Sequence, residues 1–121
     1  MKSKIAIDAL SALAHERRLN AFRMLVKAGR DGMPAGDIAR KLDVPPNSLS
    51  ASLNILSHAG LVESRRDGRS IIYTACYENM AQLLGYLLEN CCSGTPEICT
   101  PLAEILARVA CCTPKAARAR A

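Results

Sequence analysis

The stretch VPPNSLSASLNILSHAGLVESRRDGRSIIYTA, Val44 to Ala75, decides the fold. It opens with two prolines, which can begin a helix but cannot lie in its interior. Leucines at 49, 53 and 56 then recur at helical spacing, and Gly60 is suited to ending a helix. The first half of the stretch therefore predicts a helix of about three turns with one apolar face.

The outward face of this helix is small and hydrogen-bonding. Ser and Asn are mediocre helix formers, and the face lacks the ion pairs that stabilise exposed helices. It is suited to contacting another molecule, and the alternative is an ordinary polar surface. The residues predicted to point outward are Ser48, Ser50, Ala51, Ser52 and Asn54.

The second half of the stretch predicts a β-hairpin. Two β-prone runs flank Asp67 and Gly68, a pair typical of a type I′ turn. Arg65, Arg66 and Arg69 crowd the tip of this hairpin. Because they follow a helix suited to contact, we interpret them as ligands for phosphates or for a minor groove rather than as a solvated loop.

The segments before this stretch predict three further helices. They run from Ile5 to Leu13, from Glu16 to Ala28 and from Pro34 to Leu42, and Gly29 caps the second. The second has its apolar face at Leu19, Phe22, Leu25 and Val26, and the third at Ile38 and Leu42.

After the hairpin, a dense apolar stripe predicts a helix from Tyr77 to Asn90. Such a stripe at the edge of a domain often forms a dimer interface, and packing on the chain's own core is the alternative. The stripe consists of Met80, Leu83, Leu84, Leu87 and Leu88. A loop follows, and then a last helix from Pro101 with an apolar stripe at Leu102, Ile105, Leu106 and Val109.

Length and charge limit the class of protein. The 121 residues predict a single domain, and the net charge of +5 favours nucleic acid as a partner over a membrane surface. No run approaches the roughly 20 apolar residues that a transmembrane helix needs. The N-terminal segment lacks the uninterrupted apolar core of a signal peptide, so we expect a cytoplasmic protein with no membrane partner.

Six cysteines all follow residue 75. In a reducing compartment they are expected to remain thiols. Cys91, Cys92 and Cys99 form a close group that could serve as a structural clasp, a redox pair or a ligand set. Thiolates are soft ligands, so a ligand set here would favour a soft ion, and without a neighbouring His it suits four-coordinate zinc poorly. Cys76 stands alone and is expected to be buried and inert.

In the order of its elements the chain resembles the ArsR/SmtB repressors, small bacterial dimers that leave operator DNA when they bind a metal or metalloid. The resemblance rests on LAHERRLNAFRMLV, GDIARKL, SLSASLNILSHAGLV and RRDGRSIIY, taken together. It implies a mainly helical winged helix-turn-helix homodimer over residues 1–121, with 91–121 as a cysteine-rich sensing segment. Asn47 to Ala59 would be the recognition helix and Leu61 to Ala75 the wing.

The resemblance also implies which residues contact DNA. They are Asn47, Ser48, Ser50, Ala51, Ser52 and Asn54 of the recognition helix, with Arg65, Arg66 and Arg69 of the wing. Family members often carry Arg and His at the positions of Ala51 and Ser52. Operator choice in this chain is therefore expected to depend on Asn54, the wing or DNA shape.

For the inducer, ENCC followed by a third cysteine resembles an arsenic-sensing branch of the family. Cys91, Cys92 and Cys99 would bind arsenite or methylarsenite, with Cys111 and Cys112 as extra ligands, a second site, a redox pair or packing residues. The Cys-x-Val-Cys site of other members is absent from the third helix. His15 and His58 are expected at the surface or at helix ends rather than in a zinc site.

Two other functions remain open from the sequence. The same fold could respond to Cd(II), Pb(II) or thiol oxidation. A thiol enzyme or metal carrier is disfavoured, because no Cys-x-x-Cys, neighbouring catalytic His or phosphate-binding loop is present. We therefore expect a regulator rather than an enzyme, without a permanent cofactor.

Overall fold

The computed structural model describes residues 2–88 and 104–105, and that part contains five long helices and three strands. The chain divides into two compact units, Met1–Tyr86 and Leu87–Ala121. The elements are α1 Ser3–Leu13, α2 Glu16–Ala28, a short 3-10 helix Gly29–Asp31, β1 Met33–Pro34, α3 Ala35–Leu42, α4 Pro46–His58, β2 Val62–Asp67, β3 Ser70–Ala75 and α5 Tyr77–Leu88.

The helices predicted between Ile5 and Leu88 are confirmed, with small shifts at their ends. The bounds predicted for α2 are those observed, and Gly29 at its C-terminus has φ +79°. Pro34 caps α3 instead of lying inside it, and Pro46 is in the first turn of α4. The predicted end of α5 at Asn90 lies outside the described residues, and so does the predicted last helix except for Glu104 and Ile105, which are helical.

A sharp turn joins α3 to α4. Asp43 adopts the left-handed conformation at φ 56°, which Asp tolerates better than most residues. The next amide, of Val44, donates to the carbonyl oxygen of Ala39 at 3.1 Å and closes the end of α3. Pro45 then fixes an extended backbone before α4. The two helices thereby form a helix-turn-helix.

The hairpin of β2 and β3 is confirmed, but its predicted turn is wrong by one residue. Asp67 pairs with Ser70, so the two-residue loop is Gly68–Arg69. A type I′ turn needs a positive φ at both loop residues, and only Gly68 has one. Glycine at the first loop position is typical of a type II′ turn instead.

The sheet has a third strand that the sequence did not predict. The order is β1-β3-β2, with Met33 opposite Tyr73 and Pro34 opposite Ile72. Gly32, at φ +73°, makes this close approach feasible, because a Cβ there would collide with the carbonyl oxygen of Tyr73. The sheet is thus fixed to the turn between α2 and α3.

The core lies between α2, α4 and the sheet. Leu49, Leu53 and Leu56 of α4 are fully buried, as predicted, and pack with Phe22 and Leu25 of α2. The prediction that Leu19 faces the core is wrong, since it is exposed. Ala21 lies on the inward side of α2 instead: it is buried and precedes Leu25 by four residues, about one helical turn.

Candidate nucleic-acid interface

The exposed face of α4 carries hydrogen-bonding side chains and almost no charge. Asn47, Ser50, Ala51 and Asn54 are exposed, and Ser48 is half-buried. The helix contains no acidic or basic residue except His58 at its end. A rigid neutral surface of this kind can approach base edges closely, since no long side chain stands between the helix and a groove.

Ser52 does not belong to this face, and the prediction that it points outward is wrong. It is 5% exposed. Ser52 follows Leu49 by three residues and precedes Leu56 by four, so it lies on the same side of the helix as both. Its small side chain allows α4 to pack closely on the core.

The wing arginines diverge instead of forming one cluster. Arg65 pairs across the hairpin with Ile72 and Arg66 with Ile71, so the two side chains leave β2 on opposite faces. Arg65 donates a 2.9 Å hydrogen bond to the carbonyl oxygen of Asp31 and fixes the hairpin to the 3-10 helix. Arg66 and Arg69 are exposed near the hairpin tip.

The first turn of α5 is bonded to the ends of two other helices. Asn79 Nδ2 donates to the carbonyl oxygen of Gly60 at 2.7 Å, directly after α4. The hydroxyl of Tyr77 donates to the carbonyl oxygen of Val26 at 2.9 Å, near the end of α2. The start of α5 is therefore fixed relative to α4 and α2.

Cys76 precedes this turn and is buried, as predicted. Burial is the main reason that the pKa of its thiol is raised above the ordinary value of 9.0. A hydrogen bond with the Glu63 side chain raises this pKa further, and a backbone hydrogen bond involving Asn79 opposes the shift. The thiol is therefore held in its protonated, unreactive form at neutral pH.

The two histidines are at helix ends, as predicted. His15 caps α2, and its Nδ1 accepts a hydrogen bond from the amide of Arg17 at 3.2 Å. His58 is the last residue of α4. Within residues 2–88 and 104–105, no group of three or more His, Cys, Asp or Glu side chains could hold a metal ion.

The apolar stripe of α5 divides between two environments. Leu83 is 4% exposed and belongs to the core, and Met80 packs against that core. Leu83 therefore packs on the chain's own core, which was the alternative to a dimer interface, and Met80 is half-buried. Leu84 and Leu87, by contrast, are 45% and 49% exposed, and Leu88 is half-buried.

A second exposed apolar surface lies on α1, and sequence reasoning missed it. Ala6, Ala9 and Ala12 face the core, which leaves larger apolar side chains outside. The exposed ones are Ile5, Ile7 and Leu10. The alanines at intervals of three were the available signal, because small residues allow two elements to approach closely. Ile5 lines a cavity of about 270 Å³ with Asn79 and Gln82, so α1 and α5 are neighbours.

The candidate thiol ligands Cys91, Cys92, Cys99, Cys111 and Cys112 lie outside the described residues. No helix in the described ranges is long and apolar enough to span a bilayer.

A helix-turn-helix followed by a hairpin with exposed arginines defines a winged helix-turn-helix protein. Residues 13–65 match the family model described as "Helix-turn-helix domain". The chain is 34% identical to the nodulation protein NolR of Rhizobium meliloti over 85 residues, which cover 70% of this chain and 67% of that protein.

Two further similarities refine the class. The homodimeric winged helix-turn-helix DNA-binding domain of a possible ArsR-family regulator from Mycobacterium bovis matches with a TM-score of 0.60 and 30% identity, covering 69% of this chain and 75% of that one. The provisionally named arsenical resistance operon repressor ArsR of Halobacterium salinarum is 40% identical over 63 residues, or 52% of this chain and 48% of that protein. The chain belongs to the ArsR/SmtB family of winged helix-turn-helix transcriptional regulators.

Proposed function

We propose that the protein is an As(III)-responsive transcriptional repressor, which binds operator DNA as a homodimer and releases it when a trivalent arsenical binds Cys91, Cys92 and Cys99. The observation that carries the arsenic assignment is this close group of three thiols in the sequence of an ArsR/SmtB family member. The similarity to the arsenical resistance repressor of Halobacterium salinarum supports it.

For operator binding, the exposed face of α4 lies in the major groove. Asn54 and Asn47 have amides that can pair with both N6 and N7 of adenine, and the methyl group of Ala51 can contact the methyl group of thymine. Since α4 offers no guanidinium or ammonium group, its readout favours A·T pairs over guanine. Arg66 and Arg69 of the wing bind the phosphate backbone or the minor groove.

Dimerisation uses the apolar residues that the described part of the chain leaves exposed on α5 and α1. Leu84 and Leu87 lie three residues apart on one helix, and Ile5 and Leu10 lie on the neighbouring α1. In a twofold dimer such a surface packs against its own copy. Two recognition helices then face two half-sites of an operator with matching symmetry.

Release follows from the chemistry of the inducer. Soft thiolates suit As(III), which binds three sulfurs in a pyramid. The Cys91 to Cys99 segment follows α5, whose first turn is bonded to the end of α4 through Asn79. Binding of As(III) lowers operator affinity only if the released dimer holds the arsenical more tightly than the DNA-bound dimer does.

The test is fluorescence anisotropy of a labelled operator from the chain's own promoter at fixed salt. Arsenite, methylarsenite, Cd(II) and Zn(II) are titrated into the wild-type complex. Release by a trivalent arsenical at concentrations where Zn(II) has no effect is the expected result. Release by Cd(II) alone, lost in a Cys111→Ser/Cys112→Ser variant, would assign the protein to cadmium instead. Absence of operator binding would contradict the repressor itself.

A further inference from the structure

An open groove runs between α2 and α3, and no residue of α4 lines it. Its volume is about 1080 Å³, slightly above the range for small-molecule sites, roughly 300–1,000 Å³. Phe22 and Val26 of α2, Pro34 and Leu42 form much of its apolar wall. None of the functions proposed above uses this groove.

Three methionines concentrate in this groove. The chain has four, and all except Met1 line it: Met24 from α2, Met33 from β1 and Met80 from α5. Each is half-buried and packs against the core. Methionine side chains are flexible and polarisable, and they occur often at surfaces that adapt to apolar ligands of varied shape.

The rim of the groove is cationic. Arg23, Lys27 and Lys41 line it and are exposed. None of the three forms an ion pair within the described residues. The one acid on the groove, Asp37, is paired with Arg40. Lys27 and Lys41 also stabilise the C-termini of their helices, but Arg23 lies within α2 and has no such role.

We propose that this groove binds an amphipathic anion, namely a carboxylate on a linear apolar chain of fatty-acid type. The methionine-lined wall contacts the apolar chain of the ligand, and the cationic rim binds its carboxylate through charge-assisted hydrogen bonds. The same three cations disfavour the other ligand that thioethers suit, a soft metal cation, since like charges repel. Charge complementarity therefore selects the anion.

The experiment is isothermal titration calorimetry of the full-length protein with laurate, without DNA or arsenic. Saturable one-site binding of laurate is expected, with dodecanol and dodecyltrimethylammonium each at least about tenfold weaker, because neither carries an anionic group. A Lys27→Gln/Lys41→Gln variant is expected to bind laurate about tenfold more weakly, at a few-fold for each exposed charge. Met24→Gln is expected to weaken binding about fivefold, since it makes the wall polar.

The matched control is Lys2→Gln/Lys4→Gln, which removes the same charge from α1 and its N-cap, outside the groove. Its laurate affinity should equal that of the wild type, and circular dichroism checks that every variant is folded. Equal binding of laurate and dodecanol, or equal loss in the control, would overturn the proposal. Binding of an acidic amphipathic peptide without any binding of laurate would also overturn the proposal. None of these outcomes bears on the operator assay, so the two proposals fail separately.

Discussion

Asn79 of α5 and Gly60, two residues beyond the end of α4, are joined by a 2.7 Å hydrogen bond from the side-chain amide to the backbone carbonyl. Gly60 has φ +79°, a conformation in which few other residues are stable. A Cβ on Gly60 would lie 3.1 Å from Asn79 Nδ2, which is a tight contact. The pair thus fixes where α4 ends relative to α5.

Removing this bond should destabilise the protein. Asn79→Ala is expected to lower the free energy of unfolding in urea by about 1 kcal/mol, because the Gly60 carbonyl loses a part-buried donor. Gln82→Ala, at an exposed position of the same helix, is the control and should change it by less than about 0.5 kcal/mol. Equal losses in the two variants would show that the bond contributes nothing specific.

The different exposure of two α4 residues makes a second prediction. Asn54→Ala should weaken operator binding by about tenfold or more, because a good amide–adenine pair contributes about 1–3 kcal/mol of discrimination. Ser52→Ala should leave operator affinity within about twofold, since that side chain is buried. Anisotropy with the same labelled operator measures both. A larger effect at Ser52 than at Asn54 would contradict the assignment of the α4 faces.

The wing makes a third prediction. Arg66→Gln and Arg69→Gln should each reduce the slope of log affinity against log salt by about 0.9, the value for one lost phosphate contact on B-DNA. Arg65→Gln should leave this slope unchanged and lower stability instead, because Arg65 donates to Asp31. Operator affinity measured at several salt concentrations, from low to moderate, distinguishes the three variants. A reduced slope in Arg65→Gln with no change in the others would reverse the assignment.

The buried thiol makes a fourth prediction. Because burial raises the pKa of Cys76, the folded state holds the thiol proton more tightly than the unfolded state does. The resulting stabilisation is complete below the ordinary pKa of 9.0 and is lost as the pH rises above it. At pH 8, alkylation of Cys76 by iodoacetamide should be at least about tenfold slower in the folded protein than in urea. Mass spectrometry of the labelled peptide measures both rates, and equal rates would show that Cys76 is accessible.

Local signals in the sequence were sufficient for the helices and the hairpin. The prolines before α4, its leucines at helical spacing and the glycine after it act within a few residues, and they predicted a helix of about three turns where α4 lies. The bounds that the resemblance implied, Asn47 to Ala59, are each within one residue of those observed. The wing was predictable for the same reason. Resemblance to the family supplied the arrangement of these elements as a winged helix-turn-helix.

The errors arose where tertiary packing decides. Ser52 lies on the inward side of α4, which is wide because α1, α2 and α3 all pack on that helix, and periodicity does not report that width. Leu83 belongs to an apolar stripe that periodicity alone cannot assign to the core or to a dimer interface. β1 has only two residues, too few for any alternation, and it exists because Gly32 allows close approach to β3. The sequence of α1 alone does not show which of its apolar residues pack on the core and which stay exposed.

The proposed coupling of arsenic binding to DNA release through three thiols is tested most directly by the ratio of operator affinities with and without arsenite. The ratio is measured by anisotropy for the wild type and for Cys91→Ser, Cys92→Ser and Cys99→Ser, with Cys76→Ser as the matched control. The wild type and the control should lose at least about tenfold in affinity, a typical size of allosteric coupling, and the three variants should lose almost none. Full release from the Cys91→Ser complex, equal to that of the wild type, would contradict the account.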